Sequence, residues 1–276
     1  MSQYLLEKVK TLDPINPNRA TALFGGKSSG ILNWNDIAYP HWYKTYKRLL
    51  ANFWQSDEVN MSNDVKQFPM LSEREQETYL KVISLLATLD SSQTRTILLT
   101  SLYATDPSVQ SILAVIAQQE AVHNESYSYI LSSVVPLDKQ NEAFEIGRKD
   151  PVLLKRNQEI MNQYNQFVEE PTIENIIKIL VYSTLLEGLF FYSGFAFFYN
   201  LARQNKMVGT STMISYINRD ELEHGRYISE LIRSTLAENP EYNTKSFTDW
   251  VYEHFQKSVD LEIEWSHYVL NGVEGI

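Results

Sequence analysis

The sequence predicts an all-α protein, a bundle of long antiparallel helices built as one domain over residues 1–276. Three observations lead there. Apolar residues recur at helical spacing along most of the chain, no alternating β-branched run recurs between turn signals, and several helical stretches reach about 25 residues. With 276 residues, 43% of them apolar, the chain can fill a sizeable core, and no glycine- or serine-rich linker divides it. A polar, irregular arm containing Asp13-Pro14 and Gly25-Gly26 occupies residues 1–38. The first long helix is expected from about Tyr39 to Phe53. Ser72-Glu73-Arg74-Glu75 has capping-box spacing and opens a second, to about Ala104. Asp106-Pro107 starts a third, to about Val134, and Asp150-Pro151 another, to about Val168. Pro171-Thr172 precedes a very apolar helix from Ile173 to about Arg203. After Gly209-Thr210 a further helix runs to about Ala237, Asn239-Pro240 breaks it, and an amphipathic helix covers about Ser246 to Leu270.

Composition removes several classes of function. Lys plus Arg is 24 and Asp plus Glu is 34, a formal charge of -10 with no basic block to follow a phosphate backbone, so nucleic acid is not expected as a partner. Cysteine is absent, which excludes disulfides, zinc-thiolate sites, iron-sulfur clusters and cysteine nucleophiles. Any metal must be held by oxygen and nitrogen. Met1-Ser2-Gln3-Tyr4 does not open a secretory signal, so a cytoplasmic location is expected. The stretch Ile176 to Leu201 has the length of a membrane span but carries Lys178 and Glu187 and is interrupted by Ser183, Gly188, Ser193 and Gly194. A buried helix, and no membrane, is the expectation.

That leaves Glu187 to be explained, and the histidines supply the context. Three of the five have a glutamate three residues before them: Glu120/His123, Glu221/His224 and Glu264/His267. With 23 glutamates in 276 positions, fewer than one such pair is expected by chance. Residues three apart share a helix face and can hold one metal, although any single pair also reads as a solvated ion pair. The first two pairs follow Ile112-Leu113-Ala114-Val115-Ile116-Ala117 and Met213-Ile214-Ser215-Tyr216-Ile217, on helices with apolar faces. The third sits among dense charges and is set aside. Asp90 interrupts Ile83-Ser84-Leu85-Leu86-Ala87-Thr88-Leu89, with Arg95 near it in sequence, and Glu187 interrupts Leu185-Leu186 and Leu189-Phe190-Phe191 with no Lys or Arg within one turn. An ionised carboxylate in such a setting costs several kcal/mol unless a cation meets it or a proton neutralises it.

The order is an approximate repeat: Asp90, then Glu120 and His123; Glu187, then Glu221 and His224. Each interval is one pass along a long helix, a turn and a return. Four helices then contribute to one interior site, the arrangement of di-iron and di-manganese carboxylate bundles, with an Asp in one lone Glu position. Four carboxylates balance two divalent cations, and oxygen and nitrogen ligands suit iron or manganese. Tyr127 continues the face of Glu120 and His123, where its ring can approach the metals without ligating them, although among 17 tyrosines an accidental neighbour has the same spacing. Phe191, Phe195 and Ile217 would make its surroundings apolar and shield a reactive side chain from solvent.

These residues carry a resemblance. Leu89-Asp90-Ser91-Ser92-Gln93, Glu120-Ala121-Val122-His123-Asn124-Glu125-Ser126-Tyr127, Leu186-Glu187-Gly188-Leu189-Phe190-Phe191-Tyr192-Ser193-Gly194-Phe195 and Arg219-Asp220-Glu221-Leu222-Glu223-His224, with Asn52-Phe53-Trp54 and Glu58-Val59 upstream, are similar to segments of one family. It is the radical-generating small (beta) subunit of class I ribonucleotide reductase, and the resemblance spans about Tyr39 to Leu236. It implies a ferritin-like bundle in which Asp90, Glu120, His123, Glu187, Glu221 and His224 ligate two iron or manganese ions (Fe/Fe, Mn/Mn or Mn/Fe). It implies that an oxidant leaves a radical on Tyr127. Asp220, partner of His123, and Trp54 would form the inner end of the path that carries the radical outward. A metal-bound histidine commonly donates its other N–H to a carboxylate, which suits Asp220; Trp54 also reads as a core anchor. The implied partners are a second copy of the chain, an activating flavoprotein, and a large (alpha) subunit that reduces ribonucleotides to deoxyribonucleotides for DNA replication. A chain without cysteine fits, since the thiyl radical and redox thiols of that reaction must lie on a partner.

Members of that family continue past the equivalent of Tyr268-Val269-Leu270 with further helices and a tyrosine-bearing tail that docks to the large subunit. The sequence here stops at Ile276. Either it is shortened, or docking and relay proceed differently; cofactor assembly is expected to survive. Two other classes remain open at this level. An oxygen-activating di-metal oxidase or hydroxylase needs a substrate cavity where Phe191, Phe195 and Ile217 suggest a filled one. A ferritin-like metal-binding bundle, or a plain one, gives Glu187 less reason to sit where it does.

Overall fold

Capping chemistry starts the long helices close to where the sequence places them. In the computed structural model, which describes residues 4–276, the helices are α1 (Trp42–Ala51), α2 (Ser62–Gln67), α3 (Glu73–Ser101), α4 (Pro107–Val134), α5 (Leu137–Lys149), α6 (Pro151–Glu169), α7 (Ile173–Leu185), α8 (Tyr192–Arg203), α9 (Val208–Glu238) and α10 (Lys245–Leu270). Ser72 Oγ accepts from Glu75 N–H while the Glu75 carboxylate accepts from Ser72 N–H, a complete capping box. Asp106 and Asp150 cap α4 and α6, each with a proline at the first helical position. The start of α9 is capped from a distance: Asp64 of α2 accepts from the Gly209 and Thr210 amides at 3.0 and 2.7 Å.

Helix α3 packs along α4, α7 and α8 pack along α9, and α4 meets α9 between them, so the interior is shared by four long elements. One continuous apolar core runs through it, and no strand lies among the described residues, which form only an isolated bridge between Phe24 and Ala104. The arm before α1 is irregular but held: Leu23 and Phe24 are buried, Leu23 N–H donates to Glu238 at 2.8 Å, and Leu23 O accepts from Thr105 N–H at 2.7 Å. The stretch Ile173–Arg203 is long and apolar enough to cross a membrane by composition, yet 67% of its most apolar window is buried inside the bundle.

Besides the six-residue helix α2, which the sequence reading also left out, two elements depart from it. Helix α5 was not expected. It is short and polar, with Ala143 and Gly147 its buried positions. A Cβ at Gly147 would sit 2.3 Å from Thr88 Oγ1 and 3.1 Å from Ser84 Oγ, so glycine sets how closely α5 approaches α3. Gly147→Val is therefore expected to destabilise the fold by about 1–3 kcal/mol through overpacking, read from urea denaturation; an unchanged midpoint would contradict this close approach. The second departure is larger in consequence. The apolar helix is not continuous from Ile173 to Arg203 but is broken by a π-helical turn over Leu186–Phe190, with Glu187 inside it. An inserted residue of this kind leaves no trace in hydropathy when both flanks are apolar, and π-turns concentrate at functional sites.

Candidate metal centre

The four long elements bring all six predicted ligand positions to one place. Asp90 comes from α3, Glu120 and His123 from α4, Glu187 from the π-turn, and Glu221 and His224 from α9; none is more than 1% exposed. They form two overlapping groups, Asp90, Glu120, His123 and Glu221, and Glu120, Glu187, Glu221 and His224, the ligand atoms of each lying within 4.8 Å of one another. Each lone carboxylate faces its own Glu-x-x-His pair, as the repeat suggested. Glu120 and Glu221 belong to both groups, which spacing could not show. His123 Nδ1 is 3.0 Å from Glu221 and 3.6 Å from Glu120, while His224 Nδ1 is 3.1 Å from Glu120, 3.3 Å from Glu221 and 3.6 Å from Glu187. Arg95 is exposed. Glu264 is also exposed, paired with Lys155 at 2.6 Å.

The ring orientation of both histidines is set from outside the cluster. His123 Nε2 lies 3.3 Å from Asp220 Oδ2, an atom that can only accept, so Nε2 carries the proton. Gln119 Nε2 donates to Leu49 O at 3.1 Å, which turns Gln119 Oε1 towards His224 Nε2 at 3.0 Å and fixes the same tautomer there. Both Nδ1 atoms thus face the carboxylates. Glu187 is held similarly: Gln93 Nε2 donates to its Oε1 at 2.6 Å, and Gln93 Oε1 accepts from Tyr164 Oη at 2.7 Å and Ser183 Oγ at 3.3 Å. These outer partners, Gln93, Gln119, Tyr164 and Ser183, carried no signal in the sequence that singled them out for these roles.

Electrostatics shows what the cluster is suited to hold. Neither oxygen of Asp90, Glu120 or Glu221, nor Glu187 Oε2, nor either histidine Nδ1 makes a hydrogen bond of normal geometry. Buried polar atoms are rarely left so, and a concentration of them is costly unless a charge satisfies them. Burial, reinforced by the charges of Glu120 and Glu221, pushes Asp90 well above the usual carboxylate range, and burial and the same two glutamates do so for Glu187. Glu221 is held low, as contacts with Glu187 and the histidines overcome its burial. Burial opposes a charged imidazole at His123 and His224, but the surrounding carboxylates outweigh it and raise both. The carboxylates thus draw positive charge towards the two imidazoles. The donor set of four carboxylates and two imidazoles, with their free atoms converging, fits two divalent ions of the iron or manganese type.

Around the cluster, Tyr127 is wholly buried in the same core as Phe191, Phe195 and Ile217, and its hydroxyl has no hydrogen bond of normal geometry. Burial first, then the charge of Asp90, drives its ionisation well above the ordinary range. Trp54, 4% exposed just after α1, donates from Nε1 to Asp220 Oδ2 at 2.8 Å and stacks on the His123 ring at a centroid distance of 6.0 Å. Arg219 lies 3.3 Å from Asp220, so this buried carboxylate is compensated without a metal. Trp54, Asp220 and His123 therefore form one hydrogen-bonded line into the cluster.

A ferritin-like helical bundle with a carboxylate–histidine cluster at its centre defines the class: a dinuclear-carboxylate protein. Within that class the comparisons select one family. A family model described as "Ribonucleotide reductase, small chain" matches residues 31–276. The ribonucleoside-diphosphate reductase subunit beta of Halalkalibacterium halodurans is 48% identical over 265 residues, covering 96% of this chain and 77% of that protein. The ribonucleotide reductase R2 subunit from Clostridium botulinum superposes with a TM-score of 0.95 at 35% identity, covering 99% of this chain and 86% of that one. The dimanganese(II) form of NrdF from Streptococcus sanguinis does so at 0.79 and 26%, covering 88% and 84%. The chain belongs to the small-chain family of ribonucleotide reductase.

Proposed function

We propose that Asp90, Glu120, His123, Glu187, Glu221 and His224 hold two iron or manganese ions, and that Tyr127 stores the oxidising equivalent as a radical for ribonucleotide reduction on a separate large subunit. The observation that carries this reading is the pair of overlapping ligand groups sharing Glu120 and Glu221, every free donor atom of which is turned inward. Glu120 and Glu221, members of both groups, would serve both ions, with Asp90 and His123 holding one and Glu187 and His224 the other. When bound and oxidised, the ion pair supplies the one-electron oxidation of Tyr127.

The chain's own residues do the remaining work. Burial first, then the charge of Asp90, favours the protonated Tyr127 phenol, so the residue that gives up the electron is the neutral tyrosine and its proton leaves when it is oxidised. Its apolar surroundings keep water and reductants from the resulting ring. Asp220 accepts hydrogen bonds from Trp54 and His123 at one oxygen, Oδ2, so it couples the tryptophan to the cluster edge and is the inner end of the outward path. With no cysteine in the sequence, the thiol chemistry of reduction belongs to the large (alpha) subunit. The reading includes a homodimer in the cytoplasm, the chain folding as one unit, and an activating flavoprotein.

Metal loading tests it. The metal-free chain is expected to take up two Mn(II) or Fe(II) per chain, counted by elemental analysis. Free metal at about a hundredfold over its Kd adds roughly 2.7 kcal/mol per independent ion, so the melting temperature should rise by at least about 5 °C. Uptake well below two ions, or no thermal shift, would argue for a bundle without a dinuclear centre.

A further inference from the structure

The placement of Glu187 depends on a local irregularity that needs support of its own. A π-turn shifts the hydrogen-bond register, and the carbonyl at its end must find a donor outside the regular ladder. Here Phe190 O, the last carbonyl of the turn, accepts from Arg156 Nη2. Arg156 lies on α6 and is 1% exposed; its Nε donates to Glu262 Oε2 of α10 at 2.7 Å and its Nη1 to Asn157 Oδ1 at 3.1 Å. Its guanidinium also sits 4.4 Å from the Phe190 ring centroid and 5.7 Å from that of Trp265. A planar fork holds donors in fixed, separate directions, one set for a carboxylate and one for a carbonyl, where an ammonium gathers its three rotating donors on one atom.

Stability alone does not account for this group. A buried ion pair is often replaceable by apolar residues with no loss of stability. The feature that apolar residues could not reproduce is the hydrogen bond to the turn. We propose that Arg156, braced by Glu262, is a positioning residue that locks Leu186–Phe190 in the π register and so keeps Glu187 aimed at the cluster. This rests on the metal-site reading given above. If the turn annealed to a regular α-helix, residues on one side of it would rotate by about 100° about the axis, and Glu187 and α8 could not both keep their places. Glu187 belongs to the His224 group alone. Loss of the lock therefore weakens one ion and spares the other.

The experiment is Mn(II) binding to the metal-free chain of 276 residues, with unbound ion followed by electron paramagnetic resonance. It compares wild type, Arg156→Met/Glu262→Met, which strands no buried charge, and Arg156→Lys. In the double variant the first ion is expected to bind as in wild type and the second roughly tenfold to hundredfold more weakly, the range typical for outer supports of metal ligands. Amide hydrogen exchange across 190–195 in the metal-free chain should quicken. Arg156→Lys should show the same imbalance to a smaller degree. A folded double variant that binds both ions with wild-type affinities overturns the proposal, and so does equal weakening of the two, which is the signature of general destabilisation. Should the double variant fail to fold, the lysine variant decides by the same ratio, an unchanged ratio overturning it. A wild-type chain that takes up fewer than two ions refutes the metal-site reading instead.

Discussion

A Tyr127→Phe chain, loaded anaerobically with Fe(II) or Mn(II) and then given its oxidant, is expected to retain both ions and to show no tyrosyl signal by electron paramagnetic resonance, where the wild type shows one. Tyr127 belongs to neither group of candidate ligands. Its hydroxyl has no hydrogen bond of normal geometry, so its removal strands no partner in the core and the fold is expected to tolerate it. A phenyl ring has no O–H proton to release with the electron, so the oxidising equivalent cannot rest there. The effect is all or none in the signal, with metal content unchanged. A radical signal that survives in Tyr127→Phe would place the radical elsewhere, and a wild type with two ions and no tyrosyl signal would favour an oxidase on the same bundle.

The largest effect on metal binding is expected from Glu221→Ala. Glu221 belongs to both ligand groups, so its loss removes a donor from each ion at once, whereas Asp90→Ala and Glu187→Ala each disturb one group. Substitutions that only touch the supports of metal ligands cost about tenfold to hundredfold in affinity. Loss of a shared ligand should exceed about a hundredfold for each ion, taking the metal content of purified protein towards zero, while Asp90→Ala and Glu187→Ala each leave one ion more tightly held than the other. The fold should survive, because the same substitution also removes one of the buried carboxylates that repel each other when no metal is present. Equal metal contents in Glu221→Ala and Glu187→Ala would contradict the assignment of Glu221 to both ions.

The chemistry was legible wherever a residue's neighbours in space are also its neighbours in sequence. Glu120 with His123 and Glu221 with His224 stand one helical turn apart, so their pairing is written in the spacing, and Asp90 and Glu187 betrayed themselves as charges inside apolar runs. The capping box at Ser72 and the Asp-Pro starts of α4 and α6 were equally local. Helix α5 escaped because its burial is slight and rests on a glycine, and the π-turn escaped because Leu185, Leu186, Leu189 and Phe190 read the same in either register. Gln119 could not be distinguished from other polar residues, since its role depends on Leu49, 70 positions away.

By itself, then, the order of residues determined an all-helical chain and six inward donors in two matching halves, because helix periodicity and the desolvation of charge act within a few turns of one element. Only the packing of α3, α4, the π-turn and α9 decided that Glu120 and Glu221 are common to both halves, that both imidazoles present Nδ1, and that Arg156 reaches the carbonyl behind Glu187. Those outcomes are hydrogen bonds and charge contacts between positions far apart in the chain, and their partners exist only once separate helices have closed on a shared interior.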